Sequence, residues 1–192
     1  MEFRKIDEVT ESVERICTNM RGLDSALLVL KTASIHEFIP IFLHNLLKNG
    51  GYGIYVSLNK PYNTMHRVFK NCKCDLERIY FIDCVTKLAH KMYSSKDEKV
   101  MFTAGPHDIT EGGSIPLAIE QYLNSIPTEK FVIIDALRKL TIYNDEKTVT
   151  KFIKKLIQKT ENHNLKVIVL THEADDTIIR LLDQSFDIVA KI

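Results

Sequence analysis

The stretch ALLVLKTASIHEFIPIFLHNLLKNGGYGIYVSLN, residues 26–59, decides the fold that this sequence predicts. Its first five residues form a continuous apolar run typical of a buried strand, and a second apolar strand follows over residues 52–58. Between the two strands, apolar residues recur at offsets of three and four, which predicts an amphipathic helix; they are Ile35, Phe38, Ile39, Phe42, Leu43, Leu46 and Leu47. Strand, helix and strand in this order are the repeating unit of a parallel α/β sheet.

The start of this helix carries two conflicting signals. Ser34, with Glu37 three residues later, matches a capping box at a helix N-terminus. Pro40 would then lie inside the helix, where proline removes one backbone hydrogen bond. The sequence leaves open whether the first turn is irregular or the helix begins nearer Pro40.

The same alternation continues along the rest of the chain. Apolar runs predict strands over residues 78–82, 100–102, 131–134, 167–170 and 186–190. Helical periodicity predicts helices over residues 6–20, 64–71, 85–94, 114–125, 137–143, 149–157 and 175–183. We therefore predict a three-layer α/β fold, a mainly parallel sheet with helices on both faces. We expect one domain over residues 1–192, with a leading helix in 1–21 and the core in 22–192.

Composition and charge exclude several classes of function. Hydrophobic residues make up 45% of the 192 residues and charged residues 27%, as in globular domains with a sizeable core. The net charge of +1 provides no general attraction to nucleic acid or to an anionic membrane, so neither is an expected partner. No apolar run approaches the ~20 residues that span a bilayer. The N-terminal residues MEFRK do not resemble a signal peptide, so we expect a cytoplasmic protein with reduced cysteines.

Five short segments occur in a characteristic order and spacing. They are LLKNG at 46–50, GIYVSL at 53–58, YFIDC at 80–84, FVIIDAL at 131–137 and VIVLT at 167–171. Together they resemble the KaiC-like branch of the RecA-type ATPases, most closely its small archaeal single-domain members. The resemblance covers roughly residues 22–192 and implies the P-loop NTPase fold of the RecA/KaiC type.

The phosphate-binding residues of that family do not carry over to this chain. The resemblance places a glycine-rich loop ending in Gly-Lys-Ser/Thr between the first strand and the first helix, where backbone N–H groups surround the phosphates. Residues 31–34 are Lys-Thr-Ala-Ser, and the positions of the family's lysine and hydroxyl residue fall near Ile35 and His36. Asn59 and Lys60 stand where the family has acidic residues after the second strand. ATP and magnesium are therefore not expected cofactors.

Asp135 is the family residue that this chain retains. It follows the strand predicted at 131–134, which in the family carries the magnesium-coordinating aspartate. Open α/β sheets bind ligands at the carboxyl ends of their strands, so Asp135 could contact a cation or another ligand. It could equally be an inherited residue that accepts hydrogen bonds from the backbone of a neighbouring loop.

Other polar residues are predicted at the same edge of the sheet. The candidate ligand-binding residues are Lys31, Thr32, Ser34, Asp135, His172 and Glu173. The first three could hold an anion at a helix N-terminus, although Ser34 also fits a plain helix cap and Glu37 would repel an anion. The last three could form an acid–base or metal constellation, but no nucleophile is paired with them. We predict no catalytic residue.

Two further clusters have an ordinary interpretation beside a functional one. Cys72 and Cys74, with Cys84 and His66 nearby, suggest zinc, but structural zinc sites usually have two residues between paired cysteines rather than one. No metal site is therefore predicted. The helix at 149–157 carries a lysine face that could touch phosphates, consisting of Lys151, Lys154, Lys155 and Lys159. No aromatic residues interleave with these lysines as base stacking requires, so a solvated face is the ordinary interpretation.

A retained core without a phosphate loop leads to one main hypothesis of function and two alternatives. We expect a non-catalytic relative, a pseudo-ATPase, that acts as a structural or regulatory subunit on a protein partner. The partner would be a second copy or an active KaiC-like ATPase. The first alternative is a ligand- or nucleotide-binding domain, or an enzyme, with an atypical site at the carboxyl edge. The second alternative, implied only by the resemblance, is an accessory protein in DNA recombination or repair.

Overall fold

A computed structural model describes residues 2–31, 35–48, 50–89, 95–172 and 176–192 of the chain. The strands are β1 (Ser25–Leu30), β2 (Tyr52–Ser57), β3 (Ile79–Asp83), β4 (Val100–Phe102), β5 (Lys130–Ile134), β6 (Leu165–His172) and β7 (Ile188–Lys191). The helices are α1 (Glu2–Asn19), α2 (Ile35–Lys48), α3 (Tyr62–Asn71), α4 (Thr86–Ala89), α5 (Ser114–Ser125), α6 (Leu137–Tyr143), α7 (Glu146–Gln158), α8 (Thr160–His163) and α9 (Asp176–Leu182).

The seven strands form one sheet in the order β4-β3-β2-β5-β6-β1-β7. Every neighbouring pair of these strands is parallel. Helices cover both faces, and the buried apolar side chains form one cluster on each face. The first cluster joins the sheet to α5, α6, α7 and α9, and the second joins it to α1, α2 and α3. The predicted three-layer α/β fold is therefore confirmed.

The inner strands explain why long apolar runs were visible in the sequence. All six residues of β1 and all five of β5 are buried, because helices cover both faces of these strands. Gly53 in β2 makes room for a neighbouring side chain, since a Cβ there would lie 2.6 Å from the ring of Phe131 on β5. Sheet and helices are thus closely packed at the centre of the molecule.

The boundaries of several elements differ from the predicted ones. β6 spans Leu165–His172 and is thus two residues longer at each end than the strand predicted at 167–170. α8 was not predicted, because a single helical turn carries no periodic signal. Of the helix predicted at 85–94, α4 accounts for Thr86–Ala89, and residues 90–94 lie outside the described residues.

The helix α2 resolves the conflict at Pro40. It begins at Ile35 and continues through Pro40 to Lys48, so the alternative in which it begins nearer Pro40 is wrong. Pro40 lies in the second turn and cannot donate the backbone hydrogen bond of that position. The carbonyl oxygen of Pro40 accepts a hydrogen bond from Cys74 Sγ at 3.6 Å. Ser34, the predicted cap, lies outside the described residues.

The connections between strands leave on opposite faces near the middle of the sheet. β2 leads into α3 on one face, whereas its neighbour β5 leads into α6 on the other face. In open α/β sheets, such a switch point leaves a crevice at the carboxyl edge, where ligands bind. The carboxyl ends of β2 and β5 are therefore the first place to look for a site. Among the described residues, no helix is long and apolar enough to cross a membrane.

Candidate functional site

Asp135 lies at this switch point, directly after β5. β2 pairs with β5 so that Val56 is opposite Ile134, which brings the end of β2 beside Asp135. The backbone N–H of Leu58 donates to Asp135 Oδ1 at 2.7 Å, and the hydroxyl of Tyr55 donates to Oδ2 at 3.1 Å. Only 6% of Asp135 is exposed. The carboxylate is thus held by the strand and loop next to it.

The loop after β2 supplies further polar contacts to Asp135. The backbone N–H of Asn59 also donates to the carboxylate. Ser57 Oγ lies 3.2 Å from Asp135 Oδ2 but only 2.6 Å from the carbonyl oxygen of Lys60. A hydroxyl has one proton to donate, so Ser57 can donate a hydrogen bond to the carbonyl oxygen of Lys60 and accept one from a protonated, neutral Asp135. The surroundings therefore accommodate both protonation states of the carboxyl group.

Burial changes the acidity of this group. It raises the pKa of Asp135 to about 6, because the ionised form loses its hydration, and the donated hydrogen bonds only partly offset this effect. Burial and the neighbouring carboxylate also raise the pKa of Tyr55. Asp135 consequently changes its charge just below neutral pH.

A small cavity opens beside Asp135. Its volume is about 70 Å³, and it is lined by Ile39, Pro40, Tyr55, Asn59, Lys60, Met65, Val68 and Asp135. Pockets that bind drug-sized ligands have volumes of about 300–1,000 Å³. As it stands, the cavity is too small for a nucleotide, and half of its lining residues are apolar.

Lys31 and His172 lie at the ends of two other strands. β1 pairs with β6 so that Leu30 is opposite His172, which places Lys31 beside His172 at the edge of the sheet. Lys31 is exposed, and its backbone N–H donates to the carbonyl oxygen of Ile192 at 3.1 Å. His172 Nδ1 is buried and has no hydrogen-bond partner among the described residues. Thr32, Ser34 and Glu173 lie outside those residues.

The described candidates form two groups rather than one. β5 pairs with β6 so that Ile134 is opposite Val169, and His172 therefore lies about two residues, or ~7 Å, farther along than Asp135. The hydrogen-bond donors to Asp135 come from β2 and its loop, on the side of β5 away from β6. The structure thus groups Asp135 with Tyr55 and the β2 loop, and His172 with Lys31.

Asp83 is a polar residue of the same edge that the sequence interpretation did not single out. It is completely buried at the end of β3. Its Oδ1 accepts from the backbone N–H groups of Val85 and Thr86 at 2.7 and 2.8 Å, and its Oδ2 accepts from the N–H of Tyr62 at 2.7 Å and from Thr86 Oγ1 at 2.6 Å. Asp83 accepts from the N–H groups two and three residues ahead of it, as an aspartate at the N-cap of a helix does. Asp83 therefore fastens the starts of α3 and α4 to the sheet.

All four cysteine thiols are at least partly buried. Cys74 and Cys84 are buried, and burial raises the pKa of Cys74 to about 12 and also raises that of Cys84. Burial raises the pKa of Cys17 to about 11. Protonated thiols are poor nucleophiles and poor metal ligands. In the part of the chain that the structure describes, no three His, Cys, Asp or Glu side chains are grouped to hold a metal ion.

The order of the parallel strands and the helices on both faces define a three-layer α/β protein. Two solved structures share this fold. The uncharacterized protein PH0321 from Pyrococcus horikoshii, solved in complex with an unknown peptide, has a TM-score of 0.63 at 12% identity, over 88% of this chain and 76% of that chain. The KaiC-like protein PH0186 from Pyrococcus horikoshii OT3 has a TM-score of 0.59 at 15% identity, over 88% of this chain and 70% of that chain.

These likenesses concern the fold, since both identities are low. No protein-family model matches the sequence, and the search of curated proteins found no match. The activity must therefore be argued from the residues of this chain.

Proposed function

We propose that this chain is a pseudo-ATPase, a non-catalytic protein of KaiC/RecA-like fold that acts through protein contacts as a structural or regulatory subunit. The observation that carries the proposal is the sequence Lys-Thr-Ala-Ser at residues 31–34. Without glycine, backbone N–H groups cannot readily turn inward around phosphates, and no lysine follows to reach the terminal phosphate oxygens.

The surroundings of Asp135 support the same conclusion. A carboxylate that binds magnesium needs an oxygen directed at the ion or at its water shell. Both oxygens of Asp135 instead accept hydrogen bonds from Tyr55, Leu58 and neighbouring groups. The adjoining cavity of about 70 Å³ has no room for a nucleotide. Asp135 serves here to hold the loop after β2 against the sheet.

A protein partner is the second part of the proposal. RecA-type domains often place their ATP site at a subunit interface, so a relative without that site could pair with itself or with an active KaiC-like ATPase. The fold neighbour PH0321 was solved with an unknown peptide. We extend that property to this chain as part of the proposal.

His172 favours a second candidate function, a small ligand-binding site at the carboxyl edge. Its buried Nδ1 has no hydrogen-bond partner among the described residues, and Lys31 lies beside it on the neighbouring strand. A buried ring nitrogen without a partner costs free energy unless something binds to it. A small ligand with a hydrogen-bonding group would satisfy this nitrogen.

Calorimetric titration with ATP and magnesium, repeated with ADP, tests the main proposal. We expect no heat of binding at millimolar nucleotide. Binding at micromolar concentration would overturn the proposal, and an Asp135→Asn variant would then show whether magnesium contributes. A pull-down from native extract that recovers only the monomer would count against the role as a subunit.

A further inference from the structure

A groove lies between α5 and α7, on the opposite side of the molecule from α1. Its volume is about 300 Å³, within the range of ligand-binding pockets. One wall is the loop 109–112 and the first turns of α5, and the other wall is α7. On the α7 side, the residues that line the groove recur every three or four positions from Thr148 to Lys159, over a length of about 16 Å. The groove therefore runs along about three helical turns.

The floor of the groove is apolar. Ile109, Ile119 and Leu156 line it and are otherwise buried in the core. Leu117 stands on the α5 wall and is 55% exposed, so the groove presents an accessible apolar side chain. An occupant must supply apolar side chains to fill this space.

The rim of the groove is positively charged. Lys151 and Lys155 of α7 and Lys159, directly after α7, line it on one side, with Glu111 and Glu120 opposite. α7 carries four lysines and one glutamate, whereas the whole chain has a net charge of only +1. The excess of lysine on α7 complements an acidic ligand.

The ion pairs across the rim are open to exchange. Lys155 Nζ lies 2.8 Å from Glu111 Oε2, and Lys159 Nζ lies 3.6 Å from Glu120 Oε1. All four side chains are at least one-third exposed, and exposed pairs are weak. The hydrogen bond from Lys155 lowers the pKa of the Glu111 carboxyl group, and the nearby charge of Lys151 lowers it further. Because these interactions are exposed to water, a ligand carboxylate can compete with Glu111 and Glu120 for the lysines.

We propose that the groove binds an acidic amphipathic helix of a partner protein. Apolar side chains of that helix, spaced at three and four residues, enter between Leu117 and Phe152. Its flanking carboxylates pair with the lysines of α7. Helices commonly bind in apolar grooves in this way. The inference rests on the proposed function, since it names the surface and the partner chemistry of a protein that acts through contacts.

Two other occupants fit less well. Nucleic acid would meet the lysines, but Glu111 and Glu120 lie beside them, and Phe152, the aromatic residue of the groove lining, is buried. The α1 helix of a second copy is acidic on its exposed side, yet its apolar residues Val9, Val13 and Ile16 are buried. That helix could supply charge but not the side chains that the floor requires.

Three synthetic peptides of equal length test the proposal on the full chain. The first is an amphipathic helix with leucines at i, i+3, i+4 and i+7 and glutamates elsewhere. The second replaces the glutamates with lysines, and the third replaces the leucines with serines. We expect only the first peptide to shift the backbone amide NMR signals of Gly112, Leu117 and Lys151. We also expect its affinity to exceed that of the other two by about tenfold or more.

Four variants locate the binding. Lys151→Glu and Leu117→Ser should each weaken binding of the acidic peptide by about tenfold. Two matched controls should leave the affinity unchanged. Lys154→Glu reverses a charge on α7 outside the groove, and Ile142→Ser replaces an apolar side chain that is 61% exposed elsewhere on the surface. No binding at millimolar peptide, or equal loss in the controls, would overturn the proposal.

Two more outcomes would also overturn it. A single-stranded oligonucleotide that shifts the same amides at lower concentration would assign the groove to nucleic acid. Analytical ultracentrifugation detects self-association of the chain. Self-association that the Lys151→Glu substitution abolishes would assign the groove to a second copy. Failure of the groove remains separable from failure of the proposed function. If both groove variants still bind a partner protein and the chain binds no nucleotide, only the groove proposal is rejected. If the chain binds ATP at micromolar concentration, the proposed function itself is rejected.

Discussion

Asp135 and Asp83 are two buried aspartates at the same edge of the sheet, and their hydrogen bonds predict opposite responses to one substitution. Both end a strand and accept bonds from the protein itself. Asp83 receives backbone N–H groups on both oxygens, from Val85 and Thr86 on one and from Tyr62 on the other. The oxygen Oδ2 of Asp135 lies beside the hydroxyl groups of Tyr55 and Ser57, which can either donate or accept.

The Asp135→Asn substitution should therefore remove a dependence of stability on pH. The pKa of Asp135 is about 6 in the folded protein, above the ordinary value of 3.8, so the folded state binds the proton more tightly. The stabilisation is complete below pH 4 and is lost as the pH rises through 6, by up to about 3 kcal/mol. Asparagine mimics the neutral acid, with its NH₂ group donating to the hydroxyls of Tyr55 and Ser57.

Urea unfolding from pH 4 to 8 measures this effect as the difference between the wild type and Asp135→Asn. We expect the variant to gain stability relative to the wild type as the pH rises. An unchanged difference across that range would contradict the assigned acidity. Asp83→Asn is the matched control, and it should lose about 1–3 kcal/mol at neutral pH because its NH₂ group would face the N–H of Tyr62.

At the scale of elements, two lysines hold the ends of helices against the sheet. Lys130, at the start of β5, donates from Nζ to the carbonyl oxygens of Leu123 and Ile126 at the end of α5. Lys166, in β6, donates to the carbonyl oxygens of Met20 and Leu23 after α1. The last carbonyls of a helix have no partner within the helix, and a cation also interacts favourably with the dipole there.

The Lys130→Met substitution should destabilise the protein through this contact. Lys130 is only 8% exposed, and methionine would occupy a similar volume while leaving two carbonyl oxygens without their donor. We expect a loss of about 1–3 kcal/mol in the free energy of unfolding, measured with urea. Lys154→Met, on the exposed side of α7, should change little. Equal effects of the two substitutions would show that the contact contributes nothing.

At the scale of the whole molecule, the sheet should open from its edges. β3, β2, β5, β6 and β1 are paired on both sides and covered on both faces, whereas β4 has three residues and β7 four, and both lie at an edge. Native-state hydrogen exchange should show the slowest amides in the five inner strands and clearly faster exchange in β4 and β7. Slow exchange at an edge strand in the purified protein would indicate that a second copy covers that edge.

Much of this architecture could be predicted from local patterns. The apolar runs and the helical stripes are properties of neighbouring residues, so they indicated the strands and most helices within a few residues. The position of Asp135 after a buried strand was likewise visible in the sequence. Its partners were not, because Tyr55 and Asp135 are 80 residues apart and meet only through the pairing of β2 with β5.

The sequence by itself determined the alternation of strands and helices and the absence of a Gly-Lys-Ser/Thr loop, because both are written in adjacent residues. Only the tertiary structure decided the strand order, the separation of Asp135 from His172, the lysines at the helix ends and the groove between α5 and α7. These features depend on which apolar faces pack together across long stretches of chain. Periodicity specifies that a face is apolar but not which other face will cover it.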